Sequence, residues 1–127
     1  MESVQSAPPL VVLAYDDWIV GWVIRTAFER AGYRLLAYPS AVVPFHIIKR
    51  ERPALVVVER TLAPGIVGYP LIDDMRRDSE TAAIPVVLYT PPAGDLPPPS
   101  ERVRTVAKTE PVAALLDAAR ELLTPPA

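Results

Sequence analysis

The sequence predicts an α/β domain built on an open parallel sheet. Two observations carry this. Short runs that are apolar at nearly every position read as fully buried strands. They alternate with segments whose apolar residues recur at helical spacing, the pattern of a parallel sheet with crossover helices. A chain of 127 residues is long enough for one such domain with a sizeable core.

The elements follow in order. Leu10 to Tyr15 is the first strand and ends at Asp16-Asp17. Val20, Ile24, Ala27, Phe28 and Ala31 then repeat at helical spacing, and Gly32 closes that helix as a C-terminal cap. Tyr33 to Tyr38 is the second strand. Ser40 can cap a second helix through about Arg50, with Pro44 tolerated in its first turn and Pro53 ending it. Ala54 to Val58 is the third strand, followed by Glu59 and a loop from Arg60 to Gly68 with a Pro64-Gly65 turn. A short helix from about Tyr69 to Arg77 buries Leu71, Ile72 and Met75. Val86 to Tyr89 is the fourth strand and ends at Thr90; Val103 to Ala107 is the fifth and ends at Lys108. The last helix opens on Pro111 and carries Val112, Leu115, Leu116, Ala119, Leu122 and Leu123 on one stripe.

The segment Pro91 to Ser100 is too rich in proline for an ordinary crossover helix, and an extended crossover is expected there. It serves either as a rigid loop that closes the fold or as a docking surface for a partner. The expected domain spans 10–123, with a flexible N-terminal tail at 1–9 and a C-terminal tail at 124–127.

Composition removes several classes of function. A net charge of -2 without a basic stripe gives no case for nucleic acid. The absence of cysteine excludes disulfides and thiolate zinc sites. No stretch is apolar enough to span a bilayer, and the N-terminus lacks the features of a signal peptide, so the expected compartment is the cytoplasm. The one histidine, His46, lies beside apolar residues and reads as structural.

In an open parallel sheet the C-terminal ends of the strands converge on one crevice. Asp16, Asp17, Glu59, Thr90 and Lys108 would meet there. Three acids, a hydroxyl and a lysine suit the handling of a phosphoryl group with a divalent metal, since a hard cation prefers oxygen ligands and a lysine neutralises phosphoryl charge. Taken singly, each acid has a plainer reading. A strand leaves the core at its end, and Asp16 or Asp17 can simply cap the first helix.

These landmarks, in this order, resemble the receiver domain of response regulators of two-component phosphorelay signal transduction, over roughly Leu10 to Leu123. The resemblance implies a flavodoxin-like, doubly wound five-stranded sheet of order 2-1-3-4-5. The helix between strands four and five would be lost or replaced by the proline-rich crossover. It further implies an acidic pocket at Asp16 and Asp17, a phosphoacceptor position at Glu59, and phosphate-contact or switch positions at Thr90 and Lys108. Magnesium, if held, would lie on Asp16, Asp17 and Glu59.

Several residues depart from the family pattern. Glutamate stands at position 59 where the family has aspartate, Val67 replaces a loop aspartate, and Thr105 stands where an aromatic is usual. The Lys-Pro pair is opened to Lys108-Thr109-Glu110-Pro111. An added methylene moves the carboxylate by about 1.5 Å, and about 1 Å of misplacement can cost roughly a hundredfold in rate. The expectation is therefore a non-enzymatic, phosphorylation-independent pseudo-receiver that engages a signalling protein or a second copy of itself as a homodimer. No cofactor is required, and Glu59 and Lys108 form an ion pair. Two alternatives stand beside it: a phosphoryl-accepting, magnesium-binding receiver, and a flavodoxin-like domain that binds a small ligand. Trp18 and Trp22 lie near the start of the first helix, where Trp18 either covers the mouth of the site or packs at the sheet edge.

Overall fold

A computed structural model describes residues 8–39, 45–60, 70–91 and 102–123. Five strands form one parallel sheet: β1 (Leu10–Tyr15), β2 (Arg34–Pro39), β3 (Leu55–Glu59), β4 (Val86–Thr90) and β5 (Val103–Ala107). Their spatial order is β2-β1-β3-β4-β5, as expected. Four helices lie among the described residues: α1 (Trp18–Arg30), α2 (Phe45–Glu51), α3 (Pro70–Arg77) and α4 (Ala113–Leu123). β5 follows β4 with no helix among the described residues between them.

The expected crossover falls, apart from Pro91, on 92–100, outside the described residues. So do Ser40, Pro44, the Pro64-Gly65 turn, Val67 and the chain ends 1–7 and 124–127. No helix among the described residues is long and apolar enough to cross a membrane.

β1, β3 and β4 occupy the middle of the sheet, and helices cover both faces. That is why β3 and β4 are buried at every position. Val11, Leu13, Leu55, Val57, Val87 and Tyr89 pack on the side of α1 and α4, with Ile24, Phe28 and Leu115. Val12, Val56, Val58, Val86 and Leu88 face α2 and α3, with Ile48, Ile72 and Met75. The alternation of successive strand residues between the two faces sets both cores. Pro39 ends the edge strand β2, where a missing N–H is tolerated.

α1 is fixed at both ends. Asp17 is its N-cap and accepts from the amides of Ile19 and Val20 at 2.9 and 3.2 Å. Gly32, at φ 99°, adopts the left-handed turn beyond the helix that glycine takes most readily. Between them, Gly21 is buried against β1. A β-carbon there would stand 2.7 Å from the Tyr15 ring. Gly21→Ala should therefore cost about 1–3 kcal/mol through overpacking. Thermal unfolding of the variant reads this directly, and an unchanged melting temperature would contradict the close approach.

Candidate functional site

The strand register aligns the crevice residues. Tyr15 stands opposite Glu59, Glu59 opposite Tyr89, and Thr90 opposite Ala107. Glu59 is two positions beyond Val57 and Lys108 two beyond Val106, so both project toward the α1 and α4 side. β5 delivers Lys108 to the crevice, where its amide donates to the carbonyl of Thr90 at 2.9 Å.

Glu59 is the centre of the site and is fully buried. Its Oε1 accepts from the backbone amides of Asp16 and Asp17, each at 2.8 Å. Its Oε2 is paired with the Lys108 ammonium, the ion pair expected from the sequence. The amide of Asp16 also reaches the Glu59 carbonyl at 3.2 Å. One side chain thus joins the β1–α1 turn, β3 and the end of β5. A buried carboxylate is tolerated only when it is paired and hydrogen-bonded, and here the chain itself supplies both kinds of partner.

Asp17 has a structural task, since its Oδ1 is committed to the start of α1. Asp16 is exposed at the mouth. Thr90 is almost fully buried, and its Oγ1 has no hydrogen-bond partner among the described residues. A buried hydroxyl left in that state costs about 1–3 kcal/mol.

Sequence reasoning missed Tyr89. Its hydroxyl donates to the Glu110 carbonyl at 2.7 Å, fixing the turn just past Lys108. The Lys108 ammonium lies 6.0 Å from the centre of its ring. Burial, then the charges of Glu59 and Glu110, push the phenol above its ordinary value, so it donates its proton throughout the neutral range. The sequence signal was an aromatic one place before Thr90, which acquires its meaning only from the β3–β4 register. His46 is exposed on α2 and is apart from these residues. Trp18 and Trp22 are largely exposed on α1 and line a hollow with Tyr15 and with Ala37 of the edge strand β2.

Two of the three carboxylates expected to hold magnesium are engaged within the chain. Both Glu59 oxygens already face donors, one Asp17 oxygen caps α1, and the three carboxylates do not gather. Among the described residues no three acidic, histidine or cysteine side chains are grouped. Magnesium prefers near-octahedral oxygen coordination and usually takes one or two carboxylates with several waters.

No family model matches the chain. It is 27% identical over 82 residues to the transcriptional regulatory protein AfsQ1 of Streptomyces coelicolor, a match covering 65% of this chain and 35% of that regulator. Among solved structures, a sensor protein from Polaromonas sp. JS666 superposes with a TM-score of 0.75 at 23% identity, covering 91% of this chain and 95% of that one. The receiver domain of a sensor histidine kinase from Pseudomonas aeruginosa PAO1, with magnesium coordinated in its active-site cleft, gives 0.73 at 19% identity, covering 92% and 98%. A response regulator receiver protein from Sinorhizobium medicae gives 0.72 at 19% identity, covering 91% and 94%. The chain therefore has the fold of response-regulator receiver domains.

Proposed function

We propose that the chain is a receiver-type module of two-component signalling that engages a protein partner without accepting a phosphoryl group. The observation that supports this best is the double engagement of Glu59. A nucleophilic carboxylate needs an oxygen directed at the incoming phosphorus. Here Oε1 faces two amides and Oε2 faces Lys108. Freeing either oxygen would break contacts that hold three elements together. The lysine that would neutralise phosphoryl charge is itself neutralised by Glu59.

A second reading rests on Thr90, whose buried hydroxyl, without a partner among the described residues, sits where the family resemblance places a phosphate contact. In that reading Glu59 leaves Lys108 to accept phosphate, with magnesium on Asp16, Asp17 and Glu59.

One experiment decides between them. The protein is incubated with a small-molecule phosphodonor and magnesium, and its intact mass is measured. The unmodified mass is expected. A stable phosphoryl adduct that disappears in Asp16→Ala would overturn the proposal in favour of the second reading.

A further inference from the structure

Glu59 and Lys108 reach their ion pair from unequal starting points. The carboxylate is already held by the amides of Asp16 and Asp17. Lysine sits on a long flexible stem, and fixing that stem in one place costs rotamer entropy. The position of Lys108 therefore depends on how firmly the chain around it is held.

Three hydrogen bonds shape that chain. The Lys108 amide donates to the Thr90 carbonyl at 2.9 Å, and the Glu110 amide turns back to the Ala107 carbonyl at 2.9 Å. The Tyr89 hydroxyl donates to the Glu110 carbonyl at 2.7 Å and so ties the far side of the turn to β4. Tyr89 is a rigid anchor for this. It is buried in the core under α1 and α4, and its own carbonyl accepts from the Arg60 amide at 2.9 Å. It stands opposite Glu59 on one side and Val106 on the other, in the strand between the carboxylate and the strand that delivers the lysine. The Lys108 ammonium lies 6.0 Å from the centre of its ring, the outer reach of a cation–ring attraction.

The sequence explains why an acceptor is waiting there. Thr109 and Glu110 separate Lys108 from Pro111. A proline disfavours helical backbone in the residue before it, so Glu110 stays outside α4. In a continuous helix the Ala114 amide would claim the Glu110 carbonyl; here it goes to Pro111 at 2.9 Å. The opened lysine–proline pair thus supplies the carbonyl that Tyr89 grips.

We propose that Tyr89 is a positioning residue, whose hydroxyl, acting through the Glu110 carbonyl, sets how firmly Lys108 pairs with Glu59. Thr109 and Glu110 are exposed, while Glu59 is fully buried. The buried pair is thereby governed from a turn at the surface. Tyr89 holds Lys108 in the same way whether the lysine serves Glu59 alone or also meets a phosphoryl group, so the inference does not rest on the preceding reading.

Tyr89→Phe removes the hydroxyl and keeps the ring. Two measurements on the whole chain test the proposal. In the first, exchange of the Lys108 ammonium protons is followed by NMR in the wild type and in Tyr89→Phe. It should quicken by about threefold to tenfold, the weight of one hydrogen bond. In the second, the coupling between Glu59→Gln and Lys108→Met is measured by denaturation with Tyr89 and again with Tyr89→Phe. The coupling should fall to about half or less when the hydroxyl is gone. Glu110→Ala keeps the carbonyl and should leave both readings at their wild-type values. A Tyr89→Phe protein that loses stability yet keeps the full coupling would overturn the proposal, leaving a bond that merely stabilises the turn. Unchanged ammonium exchange would overturn it without recourse to the multiple variants, should those fail to fold. Loss of the coupling in Glu110→Ala would overturn it by assigning the effect to the Glu110 charge. A wild type with no coupling is a separate failure, since it removes the pair that Tyr89 positions and the reading of Glu59 with it.

Discussion

Replacing Glu59 by alanine is expected to remove about 3–5 kcal/mol of folding stability, the usual consequence of deleting one partner of a buried ion pair. Two losses combine. The Lys108 ammonium, only 20% exposed, forfeits the carboxylate it faces. The amides of Asp16 and Asp17 lose the oxygen to which each donates at 2.8 Å. A buried donor left without an acceptor costs about 1–3 kcal/mol. Domains of this size hold only about 5–15 kcal/mol in total, so the variant should sit close to unfolding. Its melting temperature should fall by on the order of 10 °C or more. Amide hydrogen exchange should accelerate at Asp16 and Asp17, where the β1–α1 turn loses its anchor. Chemical denaturation within 1 kcal/mol or so of the wild type would contradict this role for Glu59.

Lys108→Met is expected to cost about 3 kcal/mol, near the low end of the range for a broken buried pair. The methionine keeps most of the aliphatic stem beside Tyr89, so the loss is chiefly electrostatic. The fully buried carboxylate loses its cation but keeps two amide donors. Those donors set the difference between the two variants. Exchange at Asp16 and Asp17 should stay slow in Lys108→Met, whereas Glu59→Ala accelerates it. Equal acceleration in both would mean that Lys108, rather than the carboxylate, orders the turn.

The architecture was legible because its signals are local and redundant. β1, β3 and β4 are central strands covered on both faces, so their sequences are apolar without alternation. β5 was found at its observed limits, and Gly32 marked the end of α1. The site was legible as a set of positions, because strand ends converge in any parallel sheet. Its bonding was not. Convergence brings carboxylates near one another without fixing where each points. Asp17 turned to its own helix, which its cap position allowed from the start. Glu59 turned to two backbone amides, and no sequence letter records an amide's direction. The exposure of Trp18 and Trp22 was equally hidden. Apolar residues on a surface helix ordinarily read as core, and here the core-facing stripe is Ile24 and Phe28. An apolar face turned outward becomes visible only when the whole helix is placed.

The Glu59 carboxylate is engaged by the chain's own groups, with Lys108 as its electrostatic partner. A double-mutant cycle tests it most directly. Stability is measured for the wild type, Glu59→Gln, Lys108→Met and the double variant under one set of conditions. The account predicts a coupling of about 1.5 kcal/mol or more, with the double variant far less destabilised than the sum of the singles. Strict additivity would contradict it, because the two side chains would then act independently and the Glu59 carboxylate would be available for other chemistry.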